Sequence, residues 1–171
     1  MNSKIHVGRG IVCPFCNSGF ATVSGVSHHV ESAACPQAPP GMNRQTLLRF
    51  LQTRDPRGFI TNKQLEWHPE QNVEYSASQY AFNGRSWECY LCHKTYRTVA
   101  SLNQHLNSPA HESKGYHCTN KARCGNEFVS LAALCNHLES ESCGAMRFQQ
   151  VGQKFPKLAD AMMGRRMITG F

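Results

Sequence analysis

The chain lacks an apolar run of the ~18 residues that a membrane span requires. It shows no basic patch leading into an apolar segment, so no secretory signal is read from it, and an intracellular, reducing setting is expected. No Ser/His/Asp set, phosphate-cradling loop or paired carboxylates stand out, which argues against an enzyme and against a small-molecule substrate. What the chain has in abundance is cysteine and histidine, nine of each in 171 residues. An odd cysteine count does not suit a pure disulfide framework, and in a reducing compartment paired cysteines more often hold metal.

The net charge is +7, and it is unevenly placed. Arg147, Lys154, Lys157, Arg165 and Arg166 stand against Asp160 alone in the last stretch, 145–171, which therefore reads as a basic tail. A basic balance suits a polyanionic partner, although it also serves solubility.

Three segments repeat one pattern. The first runs Ile11, Cys13, Cys16, Phe20, Val26, His29, Cys35. The second runs Trp87, Cys89, Cys92, Tyr96, Leu102, His105, His111, and the third Tyr116, Cys118, Cys124, Phe128, Leu134, His137, Cys143. In each, two cysteines face one point from a hairpin turn, and an aromatic follows. An apolar residue and a histidine then lie three apart on one helix face, and a fourth ligand comes six residues later. Thr22, Thr98 and Ser130 stand where each helix would start and are suited to cap its first amides. The six-residue step exceeds one helical turn, so the helix end must unwind or tighten to bring the last ligand round, as Pro109 before His111 would permit.

A module of about 28 residues cannot bury enough apolar surface to fold alone. Zinc supplies the missing term, with apparent binding energies of ~10–16 kcal/mol in comparable peptides. The expected ligands are Cys13, Cys16, His29 and Cys35; Cys89, Cys92, His105 and His111; and Cys118, Cys124, His137 and Cys143, for three zinc ions per chain. His28 rivals His29, but the spacing from Val26 selects His29. Cys135 is left over as a free thiol beside the third helix, and His6, His68, His93 and His117 read as plain surface residues.

These segments resemble the C2H2 zinc-finger family, the middle one most closely. The first and third end in Cys and are C2HC variants, and the third carries a longer Cys118-x5-Cys124 loop. The phrases His29-Val30-Glu31-Ser32-Ala33-Ala34-Cys35 and His137-Leu138-Glu139-Ser140-Glu141-Ser142-Cys143 make modules one and three near relatives. With Leu102-Asn103-Gln104-His105-Leu106-Asn107-Ser108-Pro109, the arrangement also resembles fungal proteins with a separated first finger and a paired second and third. The resemblance implies an α+β fold of three small zinc-stabilised ββα fingers without a single large core.

The expected layout is finger one at 9–36, a partly helical linker at 37–84, finger two at 85–112, finger three at 116–144 and the basic tail. The linker opens at Pro36, Pro39, Pro40 and Gly41. A short amphipathic helix is expected over 43–53, capped by Asn43, with Leu47, Leu48, Phe50 and Leu51 as its stripe. Thr61 to Trp67 reads as a second helical turn, and the tail as carrying one helix near 156–163. The short link from 112 to 117 is expected to set fingers two and three side by side.

The family often binds DNA through three helix positions. Here these are Thr22, Gly25 and His28; Thr98, Ser101 and Gln104; and Ser130, Ala133 and Asn136. None is Arg, so the commonest specific contact, Arg to guanine, is missing. A nucleic-acid-binding protein of weak sequence readout is therefore expected, with DNA favoured and a nuclear, regulatory role. Two alternatives stand beside it. The six-residue ligand step resembles that of fingers recognising double-stranded RNA, and the acidic helix ends Glu31, Glu139 and Glu141 would favour a protein partner. No membrane partner is expected.

Overall fold

A computed structural model describes residues 10–62 and 75–169. The architecture is α+β, three small hairpin-plus-helix units with no large core. In chain order these are β1 (Ile11–Val12), β2 (Gly19–Phe20) and α1 (Val23–Glu31); β3 (Trp87–Glu88), β4 (Thr95–Tyr96) and α3 (Val99–Leu106); and β5 (Tyr116–His117), β6 (Glu127–Phe128) and α4 (Leu131–Glu139). Between the first two lies α2 (Arg44–Arg54), and after the third comes α5 (Phe148–Met162). Each hairpin pairs its two-residue strands antiparallel, with Ile11 opposite Phe20, Trp87 opposite Tyr96 and Tyr116 opposite Phe128.

Among the described residues, 10–62 and 114–169 form one compact unit and 75–113 another. The first and third modules thus share a unit. Helix α1 of module one packs against α4 of module three, a pairing that reading along the chain does not suggest. An apolar seam runs between them, with Val23, Val26 and Val30 meeting Leu131, Leu134 and Leu138, all at most 1% exposed.

The linker helix α2 spans one residue more than its pattern predicts at the C-terminal side. Asn43 caps it through Oδ1, which accepts from the Thr46 amide at 3.0 Å, while Thr46 Oγ1 accepts from the Asn43 amide at 2.7 Å. Leu47 and Leu51 are fully buried against α1 and α5, so this part of the linker belongs to the core of the unit. Asp55 then turns the chain: its carboxylate accepts from the amides of Phe59, Ile60 and Thr61 and from the Thr61 hydroxyl, at 2.8 to 3.0 Å. The helical turn expected from Thr61 falls mostly on residues outside those described. Thr61 itself bridges antiparallel to Tyr116. That bridge buries His117, whose Nδ1 lies 2.7 Å from Asn62 Oδ1, so His117 is a packed residue and not the surface histidine its sequence context implies.

The tail also departs from expectation. Its helix begins at Phe148 and runs through Pro156, so a proline start places it about two turns too late. Proline removes one intrahelical donor, but Val151, Phe155, Leu158 and Met162 recur on one face and are buried, which outweighs that loss. The basic residues of the tail are thereby carried on the outer side of a packed helix and the segment after it.

Candidate metal centres

In each module the backbone positions the ligands by the same devices. The amide of the first cysteine donates across the hairpin, Cys13 to Ser18, Cys89 to Lys94 and Cys118 to Asn126, each at 2.9 Å. The residue after the second cysteine takes a left-handed conformation: Asn17 and His93 at φ 58° and Gly125 at φ 63°. The shared register of Cys118 shows how the longer loop fits. Its extra residues close a turn in which the Cys124 amide donates to Asn120 at 2.9 Å, so the second thiol is returned to its place. Thr22, Thr98 and Ser130 each accept from the amide three residues on, at 3.0 to 3.1 Å. Phe20, Tyr96 and Phe128 then lie against His29, His105 and His137 with ring centroids 4.9 to 5.0 Å apart.

The helix ends differ. In modules one and three the chain leaves the helix through Ala33 (φ 57°) and Glu141 (φ 58°). In module two a 3-10 turn at Pro109–His111 does the same work. Each of these devices brings the fourth ligand round.

The structure brings together Cys13, Cys16, His29 and Cys35; Cys89, Cys92, His105 and His111; and Cys118, Cys124, His137 and Cys143, with ligand atoms within 4.8 Å of one another in each set. His28 is exposed and takes no part. A tetrahedral zinc with bonds of ~2.3 Å to sulfur and ~2.0 Å to nitrogen needs edges of about 3.8 Å between sulfurs and about 3.5 Å between sulfur and nitrogen. The Cys13–Cys35 and Cys118–Cys143 sulfurs stand 3.9 and 3.6 Å apart. Sulfur to Nε2 is 3.3 Å for Cys16–His29, Cys89–His111 and Cys92–His105, and 3.4 Å for Cys124–His137. These are zinc edges, and far too long for disulfides. The three clusters are suited to zinc.

Protons must leave for the metal to enter. Burial pushes the Cys13 thiol up to about 11 and that of Cys118 up to about 12. Cys16 is drawn the other way, to about 6, by the Ser18 hydroxyl 3.2 Å from its sulfur. Burial and the neighbouring His111 hold His105 below its usual range, in the neutral form that ligates.

Residues 87–111 match the family model described as zinc-finger of C2H2 type. Module two is a C2H2-type zinc finger. Fingers one and three form C2HC-like clusters of the same build. No curated protein and no solved structure matches the chain, so the wider likeness to fungal multi-finger proteins gains no support.

The surroundings of the fingers carry what sequence reading missed. Glu139 of finger three accepts from the amides of Val23 and Ser24, at 2.5 and 3.2 Å, and from the Ser24 hydroxyl at 2.6 Å. Glu31 of finger one accepts from the amides of Leu131 and Ala132, at 2.6 and 3.0 Å. Each acid thus closes the other finger's helix N-terminus. Glu141 accepts from the Phe148 amide at 2.9 Å and does the same for α5. The positions in finger two equivalent to Ser27/Cys135 and Glu31/Glu139 are Asn103 and Asn107. There they hold the chain that precedes the finger: Asn103 Oδ1 accepts from the Ala77 amide at 2.7 Å, and Asn107 exchanges two hydrogen bonds with the Tyr75 backbone at 2.8 and 2.7 Å. Cys135 faces Ser27 at 3.6 Å inside the seam, and burial raises its thiol to about 12.

Exposure follows from this packing. Thr98, Ser101 and Gln104 of finger two are all exposed. In fingers one and three only His28 and Asn136 are, while Thr22, Gly25, Ser130 and Ala133 are half-buried.

Proposed function

We propose that the protein binds nucleic acid, with DNA favoured, and uses zinc only to hold its modules in shape. Four protein ligands close each site, which is the structural rather than the catalytic arrangement of zinc. The observation that carries the reading is the sorting of charge. Glu31, Asp55 and Glu139 are buried in amide caps, while Arg57, Lys121, Arg123, Arg147, Lys157, Arg165 and Arg166 remain exposed. Of the acidic helix ends that argued for a protein partner, Glu31 and Glu139 are buried as caps, and Glu141, though exposed, is engaged by the Phe148 amide.

Base reading through helices falls to finger two, and its exposed Thr98, Ser101 and Gln104 include no arginine. Affinity then comes from phosphate contacts with little sequence preference. A nuclear location and a regulatory role accord with this reading. It is tested by binding to duplex DNA, double-stranded RNA and single strands over a range of salt concentrations. A log–log slope steepest on duplex DNA supports it. Steeper dependence on double-stranded RNA moves the class to RNA, and salt-independent or absent binding to all three removes it.

A further inference from the structure

Two segments far apart in sequence meet at one end of the first unit. The amide of Ile168 donates to the carbonyl of Arg54 at 2.6 Å. Between α5 and that contact lies Gly164, at φ +74°, where a Cβ would come within 3.1 Å of the Phe50 ring and 3.2 Å of an Arg54 guanidinium nitrogen. A side chain here would therefore be strained and crowded at once, and glycine lets the segment after α5 lie flat on the last turn of α2. Arg54 is fixed beneath it, its guanidinium 5.3 Å over the Phe50 ring and its Nε buried without a hydrogen-bond partner.

Arginines flank this contact in both segments. Arg165 and Arg166 follow Gly164 directly, and Arg57 stands in the turn just after Arg54. All three are exposed, and none forms an ion pair with a described residue. The acid beside them, Asp55, is buried and fully engaged by the amides of Phe59, Ile60 and Thr61 and by the Thr61 hydroxyl. Asp160, near the end of α5, is the only acid that helix carries. Guanidiniums left without acids on a rigid platform suit bidentate contact with phosphate oxygens.

We propose that Arg57, Arg165 and Arg166, set on the Arg54–Gly164 contact, form a phosphate site outside the three fingers that grips the backbone of a bound nucleic acid. The proposal rests on the nucleic-acid reading above. It also makes the C-terminal segment a placed part of the binding surface and not a loose basic appendage.

The test compares two triple variants of the full chain, each losing three exposed cations. One carries Arg57→Ala, Arg165→Ala and Arg166→Ala; the other carries Lys121→Ala, Arg123→Ala and Arg147→Ala. Both must keep the wild-type amide spectrum. Each lost phosphate contact removes about 0.9 from the salt slope on duplex DNA, so the first variant should lose roughly two to three units and the second, whose cations contribute only to the general basic surface, at most about one. Equal losses in both, or no loss in the first, overturn the site while leaving the nucleic-acid reading in place. If the wild type binds no nucleic acid, that reading fails, and inorganic tripolyphosphate decides the site. Amide shifts confined to Arg57, Arg165 and Arg166 would keep it as an oligophosphate site, and their absence would end it.

Discussion

Glu31 and Glu139 exchange helices: each carboxylate, on the last turn of its own helix, caps the first amides of the other. Fingers one and three are offset by 108 residues, and the relation is reciprocal, as in a two-fold dimer built within one chain. Anionic caps at helix N-termini contribute up to ~2 kcal/mol in partly buried settings. Replacing either acid with Gln keeps an acceptor but removes the charge. Each single variant should destabilise the first unit by ~1–2 kcal/mol in denaturant titration, and the double variant should depart from additivity because both caps serve one interface. Melting of finger two should not move. A neutral result for both acids would mean that the apolar seam alone joins the two fingers.

Zinc occupancy should follow the same partition. Wild-type protein purified without chelator should contain three zinc ions, by metal analysis. Cys16→Ser removes one ligand of finger one, and with it the template on which α4 packs. The expected metal content is then near one, with finger two alone still loaded. A value near two would show fingers one and three to be independent. The converse variant, Cys92→Ser, should leave the amide signals of both other fingers intact.

Much of this was legible in the residues. The ligand sets, the caps Thr22, Thr98 and Ser130, and the helix opened by Asn43 each depend on side-chain types at short spacing, which a sequence displays. The partnership of fingers one and three was half visible, because His-Val-Glu-Ser and His-Leu-Glu-Ser are twins and finger two has Asn107 where they have Glu. What hid it was the nature of the receptor. Glu31 and Glu139 are satisfied by backbone amides, and a glutamate on a helix otherwise reads as a solvated charge. The tail misled for a related reason: Pro156 marks a helix start in isolation, whereas burial of Val151 and Phe155 carries the helix across it. The arginine platform depends on Gly164 meeting α2, which lies far back along the chain, and no local spacing encodes that.

The chain before finger two is part of its fold. Asn103 and Asn107 hold the backbone of Tyr75 and Ala77, and Ala77 and Ala81 pack on Leu102 and Leu106. Asn103→Ala with Asn107→Ala should leave zinc binding by finger two intact but lower its stability by ~1–3 kcal/mol, as expected for lost hydrogen bonds. Amide exchange at Tyr75 and Ala77 should accelerate toward that of an unfolded chain. Unchanged protection there would assign the hold on this segment to the alanine contacts.

The last prediction probes the axis of the intrachain pair. Ser27 and Cys135 are equivalent positions, and they face each other with Oγ and Sγ 3.6 Å apart. Ser27→Cys would place two thiols at that point. Closing to the ~2.05 Å of a disulfide requires the two sulfurs to come about 1.5 Å nearer than the present oxygen–sulfur pair. Mild oxidation of the zinc-loaded variant should therefore form an intramolecular bond. It would be read as the loss of two hydrogens in the intact mass and, after digestion, as a cross-linked peptide pair joining the substituted position to Cys135. It should keep all three zinc ions, because neither thiol belongs to a metal set. It should also raise resistance to denaturant, since a cross-link spanning about a hundred residues constrains the unfolded chain by several kcal/mol in the entropic model. Equivalent oxidation of Ser24→Cys, whose position faces Glu139 and not a cysteine, should give no such bond. If the Ser27→Cys variant stays reduced even after refolding with zinc in the presence of oxidant, when both thiols pass through solvent, the two helices do not meet at this axis in solution, and the reciprocal caps of Glu31 and Glu139 fall with it.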